Sequence, residues 1–196
     1  ALFLVAEMFF FKAPLQLGHL EGNKFTIVVR KISAEEKKNF LAHTKETKKL
    51  PCFVNYYDDQ RFGNSKNNHL IGKHLVRKQF KEACALITDT TYYPQVFAKE
   101  HLEKHASDFI GALRCLPKKV VLMYVHAYQS FLWNETAKLL VKKASKKFHT
   151  GEYSAGTLLY PQTALKNMRV PLIGFDIDEA DAAVEKMLQK IMKKEQ

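Results

Sequence analysis

Nine consecutive residues, Asn55-Tyr56-Tyr57-Asp58-Asp59-Gln60-Arg61-Phe62-Gly63, bring amides, aromatic rings, a guanidinium and a glycine into one short stretch. Such a loop could stack a base on a ring and hold a phosphate or carboxylate in the Arg61 fork. The plainer alternative is a strand end with core aromatics and a solvated acidic pair. Other chemistry-bearing patterns are weaker. Asp176, Asp178, Glu179 and Asp181 resemble the start of a calcium loop, but the glycine and distal glutamate are absent, so helix capping explains them better. His101 and His105 share a helix face, yet His-Leu-Glu-Lys-His is not the HExxH pattern and offers no third ligand. No glycine-rich phosphate loop occurs, and no Ser/His/Asp or Cys/His arrangement emerges from spacing.

The elements that must position the loop follow from local pattern. Residues 25–31 are β-branched and aromatic and predict a strand. Ser33 and Glu36 form a capping box that opens a helix running to about Lys49, where Leu50-Pro51 ends it. Residues 52–57 predict a second strand, giving a strand–helix–strand unit with a parallel crossover. The polar run Asn64–Asn68 marks a boundary near 63–68, and apolar residues at helical spacing then continue to about Ile87. Pro94 interrupts, and shorter helices are expected over 95–114. A strong helix is expected from Met123 to Leu140, with Tyr124, Val125, Tyr128, Phe131 and Leu132 on one stripe. Residues 148–176 suggest loops and short strands, and a last amphipathic helix is expected to start near Asp178, its N-cap, and to end in lysines.

Composition bounds the rest. With 196 residues, 46% of them hydrophobic and 12% aromatic, the chain has material for one ordinary domain or two small ones. No apolar run approaches the ~20 residues of a bilayer span, and the opening Ala1–Ala6 lacks the cationic flank of a signal peptide. A hydrophobic start without Met suggests a piece of something longer. Cys52, Cys84 and Cys115 are scattered, which fits buried thiols in a reducing cytosol. Lys plus Arg number 31 against 20 acids, a net charge of +11 that suits a polyanion. Lys138, Lys142, Lys143, Lys146 and Lys147 form one dense cluster, and Arg61, Lys66, Lys73, Arg77, Lys78 and Lys81 form another. A solvated helix face is the commoner meaning of either run alone.

Three stretches together carry a resemblance. Leu17-Gly18-His19-Leu20-Glu21-Gly22-Asn23-Lys24-Phe25-Thr26-Ile27-Val28-Val29-Arg30 is similar to L-G-x-L-x-G-N-x-F-x-I-x-x-R, and Asn55–Gly63 to N-[YF]-[FY]-x-x-Q-R-F-G. Ala127-Tyr128-Gln129-Ser130-Phe131-Leu132-Trp133-Asn134 is similar to A-Y-Q-S-[FY]-x-[WF]-N, and Val170–Phe175 suits the same region. In this order they resemble the TruD family of pseudouridine synthases, which isomerise uridine in tRNA without metal or cofactor.

The resemblance implies an α+β fold: residues 1–66 as part of the synthase catalytic sheet domain, and residues 67–196 as a mostly helical inserted domain, with RNA in the cleft. It implies that Asn55 orients the nucleophilic aspartate, that Tyr57 stacks on the target base, and that Gln60, Arg61 and Phe62 shape the pocket or contact RNA. Lys66, Lys73, Arg77, Lys142, Lys143, Lys146 and Lys147 are the expected RNA-binding cations. The family's nucleophile lies in a G-x-K-D-x-x-A-x-T-x-Q segment, which does not occur here and is expected upstream of residue 1. Asp58 and Asp59 hold variable positions of the loop and are poor substitutes. The expected activity is conversion of uridine 13 of tRNA to pseudouridine in the cytoplasm. This chain would be a fragment or split-gene part, inactive alone and completed by a second polypeptide. The alternative is a non-catalytic RNA-binding protein derived from the family.

Overall fold

The computed structural model describes residues 24, 26–47, 54–90, 92–163, 165–166, 168–174 and 182–195. The chain divides into two compact units, residues 1–45 and 46–196.

In the first unit the capping box forms as expected. The Ser33 N–H donates to Glu36 Oε2 at 2.7 Å and the Glu36 N–H donates to Ser33 Oγ at 3.2 Å, opening α1 (Ala34–Thr47). These bonds, the backbone one first, hold the Glu36 carboxyl below its ordinary pKa. Residues 26–30, expected as a strand, belong to no ladder, and Ile27, Val28 and Val29 are 82%, 69% and 65% exposed. β-branched composition describes side chains that suit a pleated surface; a strand also requires a paired neighbour.

The second unit is built around one long helix. A short 3-10 turn (Asp59–Phe62) leads into α2 (Asn68–Val76), α3 (Phe80–Thr88), α4 (Gln95–Lys104) and α5 (Phe109–Arg114). Helix α6 (Lys118–Ala144), hairpin β1 (Phe148–Tyr153) and β2 (Gly156–Pro161), and α7 (Ala182–Lys194) follow. The sequence predicts one helix through residue 87, but the chain turns at Arg77–Gln79, where Lys78 takes a φ of 58°. Neither Gly nor Pro marks that turn.

Helix α2 lies directly on α6. A Cβ at Gly72 would sit 2.0 Å from the Tyr124 carbonyl oxygen, so only glycine allows this approach. Ala83, Ala98 and Ala112, all fully buried, let the short helices α3–α5 close over Ile71, Ile87 and Tyr124. Cys84 lies in this core, where burial pushes its thiol up to about 11. Cys115 is exposed, contrary to the expectation of buried thiols. On α7, Val184, Leu188 and Ile191 form a buried stripe at helical spacing that meets Leu140 at one end and Tyr128 and Leu132 at the other.

The hairpin is antiparallel, pairing Gly151 with Leu158 and Tyr153 with Gly156. Its inner face adds Tyr153 and Leu158 to a small core around Phe62, which has no exposure. Of the strand expected over residues 52–57, residues 52–53 lie outside the described residues and 54–57 are irregular. They belong to the same compact unit as the helices, although the family resemblance groups them with residues 1–66. Asp176, Asp178, Glu179 and Asp181 lie outside the described residues. No helix among the described residues is long and apolar enough to cross a membrane.

Candidate nucleic-acid site

The loop that opens this site is held by side chains of α6 in place of a β ladder. Asn134 is completely buried. Its Oδ1 accepts from the Tyr57 N–H at 3.0 Å and its Nδ2 donates to the Tyr57 carbonyl at 2.8 Å. One amide thus satisfies both main-chain groups of Tyr57, as a neighbouring strand would. Trp133 packs its ring edge-on against Tyr56 and Tyr57, with centroids at 6.3 and 5.7 Å. Tyr56 donates its hydroxyl to the Leu159 carbonyl at 2.9 Å and lies against Tyr160; burial pushes its pKa well above the ordinary value.

Tyr57, Gln60 and Arg61 come together around a concavity of about 460 Å³ that Tyr56, Asp58 and Met123 complete. The Arg61 guanidinium carbon lies 5.2 Å from the Tyr57 ring centroid. A planar cation on a ring enlarges the platform on which a base can lie, because guanidinium and aromatic faces both stack with bases.

Asn55 faces elsewhere. It lines a separate cavity of about 250 Å³ with Trp133, Leu140, Lys166, Met168 and Val170. The reason is local: the Tyr56 N–H donates to the Val54 carbonyl at 3.0 Å, a three-residue turn centred on Asn55 that breaks strand alternation. Phe62 is fully enclosed, with rings of His69 and Tyr153 at 5.2 and 5.5 Å. It braces the loop from behind and offers no exposed surface.

The two aspartates of the loop have structural duties. Asp58 Oδ1 accepts from the Asp59 N–H at 2.8 Å, capping the 3-10 turn. Asp59 Oδ1 accepts from the Ser154 N–H at 2.7 Å and Oδ2 pairs with Lys66 at 3.3 Å, fastening the loop to the hairpin. The Ser154 hydrogen bond, and then Lys66, hold the Asp59 carboxyl below its ordinary range.

The expected RNA-binding cations divide into two groups. Lys73 Nζ lies 2.8 Å from Glu195 Oε2 and the Arg77 guanidinium donates to the Glu195 carbonyl, so both are engaged with the end of α7. Lys142, Lys143, Lys146 and Lys147 are exposed around the end of α6 and the start of β1. His101 meets Asp108 at 2.9 Å, and Asp108 also caps α5 through the Gly111 N–H. No group of three or more His, Cys, Asp or Glu among the described residues could hold a metal ion.

Sequence reasoning quoted Trp133 and Asn134 without giving them a role. The available signal was an amide on the buried stripe of α6, where an unpaired polar group would be costly. The same motif also binds the segment after the hairpin. Gln129 Nε2 donates to the Ile173 carbonyl at 2.6 Å and Trp133 Nε1 to the Val170 carbonyl at 2.8 Å.

Comparison with known proteins bears on this arrangement. The family model described as "tRNA pseudouridine synthase D (TruD)" matches residues 5–95 and 95–164. The chain belongs to the TruD family. Among TruD relatives, it is 27% identical to the probable tRNA pseudouridine synthase D of Nanoarchaeum equitans, covering 93% of this chain and 53% of the relative. It is 29% identical to the probable tRNA pseudouridine synthase D 2 of Methanocaldococcus jannaschii, over 92% and 52% respectively. Identity is 26% to the multisubstrate pseudouridine synthase 7 of Schizosaccharomyces pombe, over 76% and 27%. The chain spans about half the length of the archaeal TruD proteins it matches. No solved structure gives a significant match.

Proposed function

We propose that this chain is part of a tRNA pseudouridine synthase that isomerises uridine 13, and that its loop at residues 56–61 grips the target base. The observation that carries the reading is the Tyr57–Arg61 platform, clamped by Asn134 on a concavity that also holds Gln60. A base must leave its stack to react, and such enzymes receive it by stacking and edge hydrogen bonds. Lys142, Lys143, Lys146 and Lys147 supply the phosphate contacts. Residues 1–66 belong to the catalytic domain and 67–196 to the insertion, with residues 54–66 lying on the latter. The protein works in the cytoplasm on tRNA.

The attacking aspartate is neither Asp58 nor Asp59, because both are committed to holding the loop. It comes from a G-x-K-D-type segment, within the same polypeptide or on a second one. The same observation favours a second reading, in which the chain binds RNA without catalysing the reaction.

Tritium release from tRNA transcripts labelled at uracil C5 separates these readings. The chain alone should release none, and addition of a polypeptide carrying the G-x-K-D segment should start turnover that Tyr57→Ala abolishes. Binding without turnover in every combination supports the second reading. Release by the chain alone would overturn the assignment of Asp58 and Asp59, and failure to bind tRNA would overturn both readings. Replacing the four lysines with alanine should flatten the salt dependence of binding by up to about one unit per lost phosphate contact.

A further inference from the structure

Beside the Tyr57 concavity lies a second one, of about 340 Å³, and the two share Gln60 and Met123 in their walls. We infer that this second cavity holds a neighbouring base of the same RNA strand. The inference rests on the reading of the first concavity as the seat of the target base.

Three features select a base over other ligands. Among the described residues, no Asp, Glu, Lys or Arg lines the cavity, in a chain whose net charge is +11. A phosphate or a charged peptide side chain would find no counter-ion among them. The polar lining consists of amides, with Gln60, Asn64, Asn67 and Asn68 converging from the loop and the start of α2. An amide offers a donor and an acceptor side by side, which matches the edge of a base. Asn67 stands at the cap position of α2 yet makes no side-chain bond to the helix, so its amide is uncommitted. Asn68 is set against Gly63, where a Cβ would lie 2.5 Å from Nδ2.

Aromatic surface completes the site. Tyr92 and Tyr93 also line the cavity while remaining 58% and 77% exposed. Their turn is tied down by Gln95, whose amide nitrogen donates to the Tyr92 and Tyr93 carbonyls at 3.1 and 3.2 Å while its oxygen accepts from Tyr124 at 3.0 Å. Exposed rings on an anchored turn, lining one cavity with several amides, form a platform of the kind single-stranded RNA uses.

The test uses fluorescence anisotropy with a five-nucleotide single-stranded RNA carrying a central uridine. Each flanking position is replaced in turn by an abasic nucleotide. One flanking base should matter: its removal should weaken binding to the parent protein about tenfold, a typical value for one stacked base. Tyr93→Ala and Asn67→Ala should each bind the intact strand about as weakly as the parent binds that abasic strand, and should show little further loss on base removal. Unchanged far-UV circular dichroism checks that these exposed or half-buried positions leave the fold intact. If the variants weaken intact and abasic strands by the same factor, or no flanking base matters, the second subsite is refuted while the RNA reading stands. If no strand binds at any salt concentration, the RNA reading falls as well.

Discussion

Removal of the Asn134 amide should release the Tyr57 loop and weaken the whole second unit. The side chain is fully buried and makes two hydrogen bonds to the Tyr57 main chain, at 3.0 and 2.8 Å. Two bonds at about 0.5–1.5 kcal/mol each give ~1–3 kcal/mol. Truncation to alanine also leaves a void among Trp133, Tyr57 and Tyr153, which adds roughly 1 kcal/mol. Asn134→Ala should therefore lose about 2–4 kcal/mol in urea melts, or roughly 5–15 °C in Tm for a chain of this size. Asn134→Asp sharpens the test. It keeps the acceptor for the Tyr57 N–H but turns a second oxygen toward the Tyr57 carbonyl. Near neutral pH it should melt below Asn134→Ala, and it should recover on acidification, when its carboxyl becomes a donor. A melt of Asn134→Ala within about 0.5 kcal/mol of the parent, the range of inconsequential surface changes, would refute the idea that one amide replaces a strand partner.

Three further outcomes are expected. Gly63 has φ 81° and ψ 176°, a region open almost only to glycine; Gly63→Ala should cost about 1–3 kcal/mol in strain, with displacement of Asn68 added, read by urea melts. Burial pushes the Glu195 carboxyl up, but Lys73, Tyr128 and Arg77 outweigh it and leave it below the ordinary 4.5. Its contribution should be full above 4.5 and lost as pH falls through the lowered value; Glu195→Gln should melt lower at pH 7 and converge with the parent in acid. Burial lowers the His69 pKa below 6.5, and its Nδ1 has no partner among the described residues. The unfolded state therefore binds more protons, so stability should fall as pH drops below 6.5, and His69→Phe should reduce that loss, seen by comparing urea midpoints at pH 5.5 and 7.5.

Local physics made much of this chain legible. The Ser33–Glu36 capping box is a pattern of adjacent residues, and its two bonds form. Helices α4 and α6 follow from apolar spacing and from the Pro94 break. Tertiary causes escaped the sequence. The turn at Lys78 has no Gly or Pro, and it lets α3 fold back where small alanines admit it. Residues 52–57 have strand-like composition, but the main-chain partner of Tyr57 is a side chain from a distant helix. The loop's aromatics and Arg61 were visible as chemistry, whereas the outward turn at Asn55 depends on a backbone bond that no residue type announces. Lys73 and Arg77 have the residue types of RNA contacts, whereas their engagement with Glu195, 118 positions beyond Arg77, is a tertiary fact.

The Asn134 clamp also sets a schedule for the growing chain. Tyr57 and Asn134 are 77 positions apart, and synthesis proceeds at about 5–20 residues per second. For several seconds, at minimum, the nascent loop has emerged without the amide that orders it. During that interval its tyrosines are exposed sticky surface, open to a chaperone or to non-native contacts. A pause in translation between the loop and the middle of α6 would lengthen that exposure, whereas one placed after α6 has emerged would not. Codon usage across residues 63–134 thereby becomes part of the physics of this binding site.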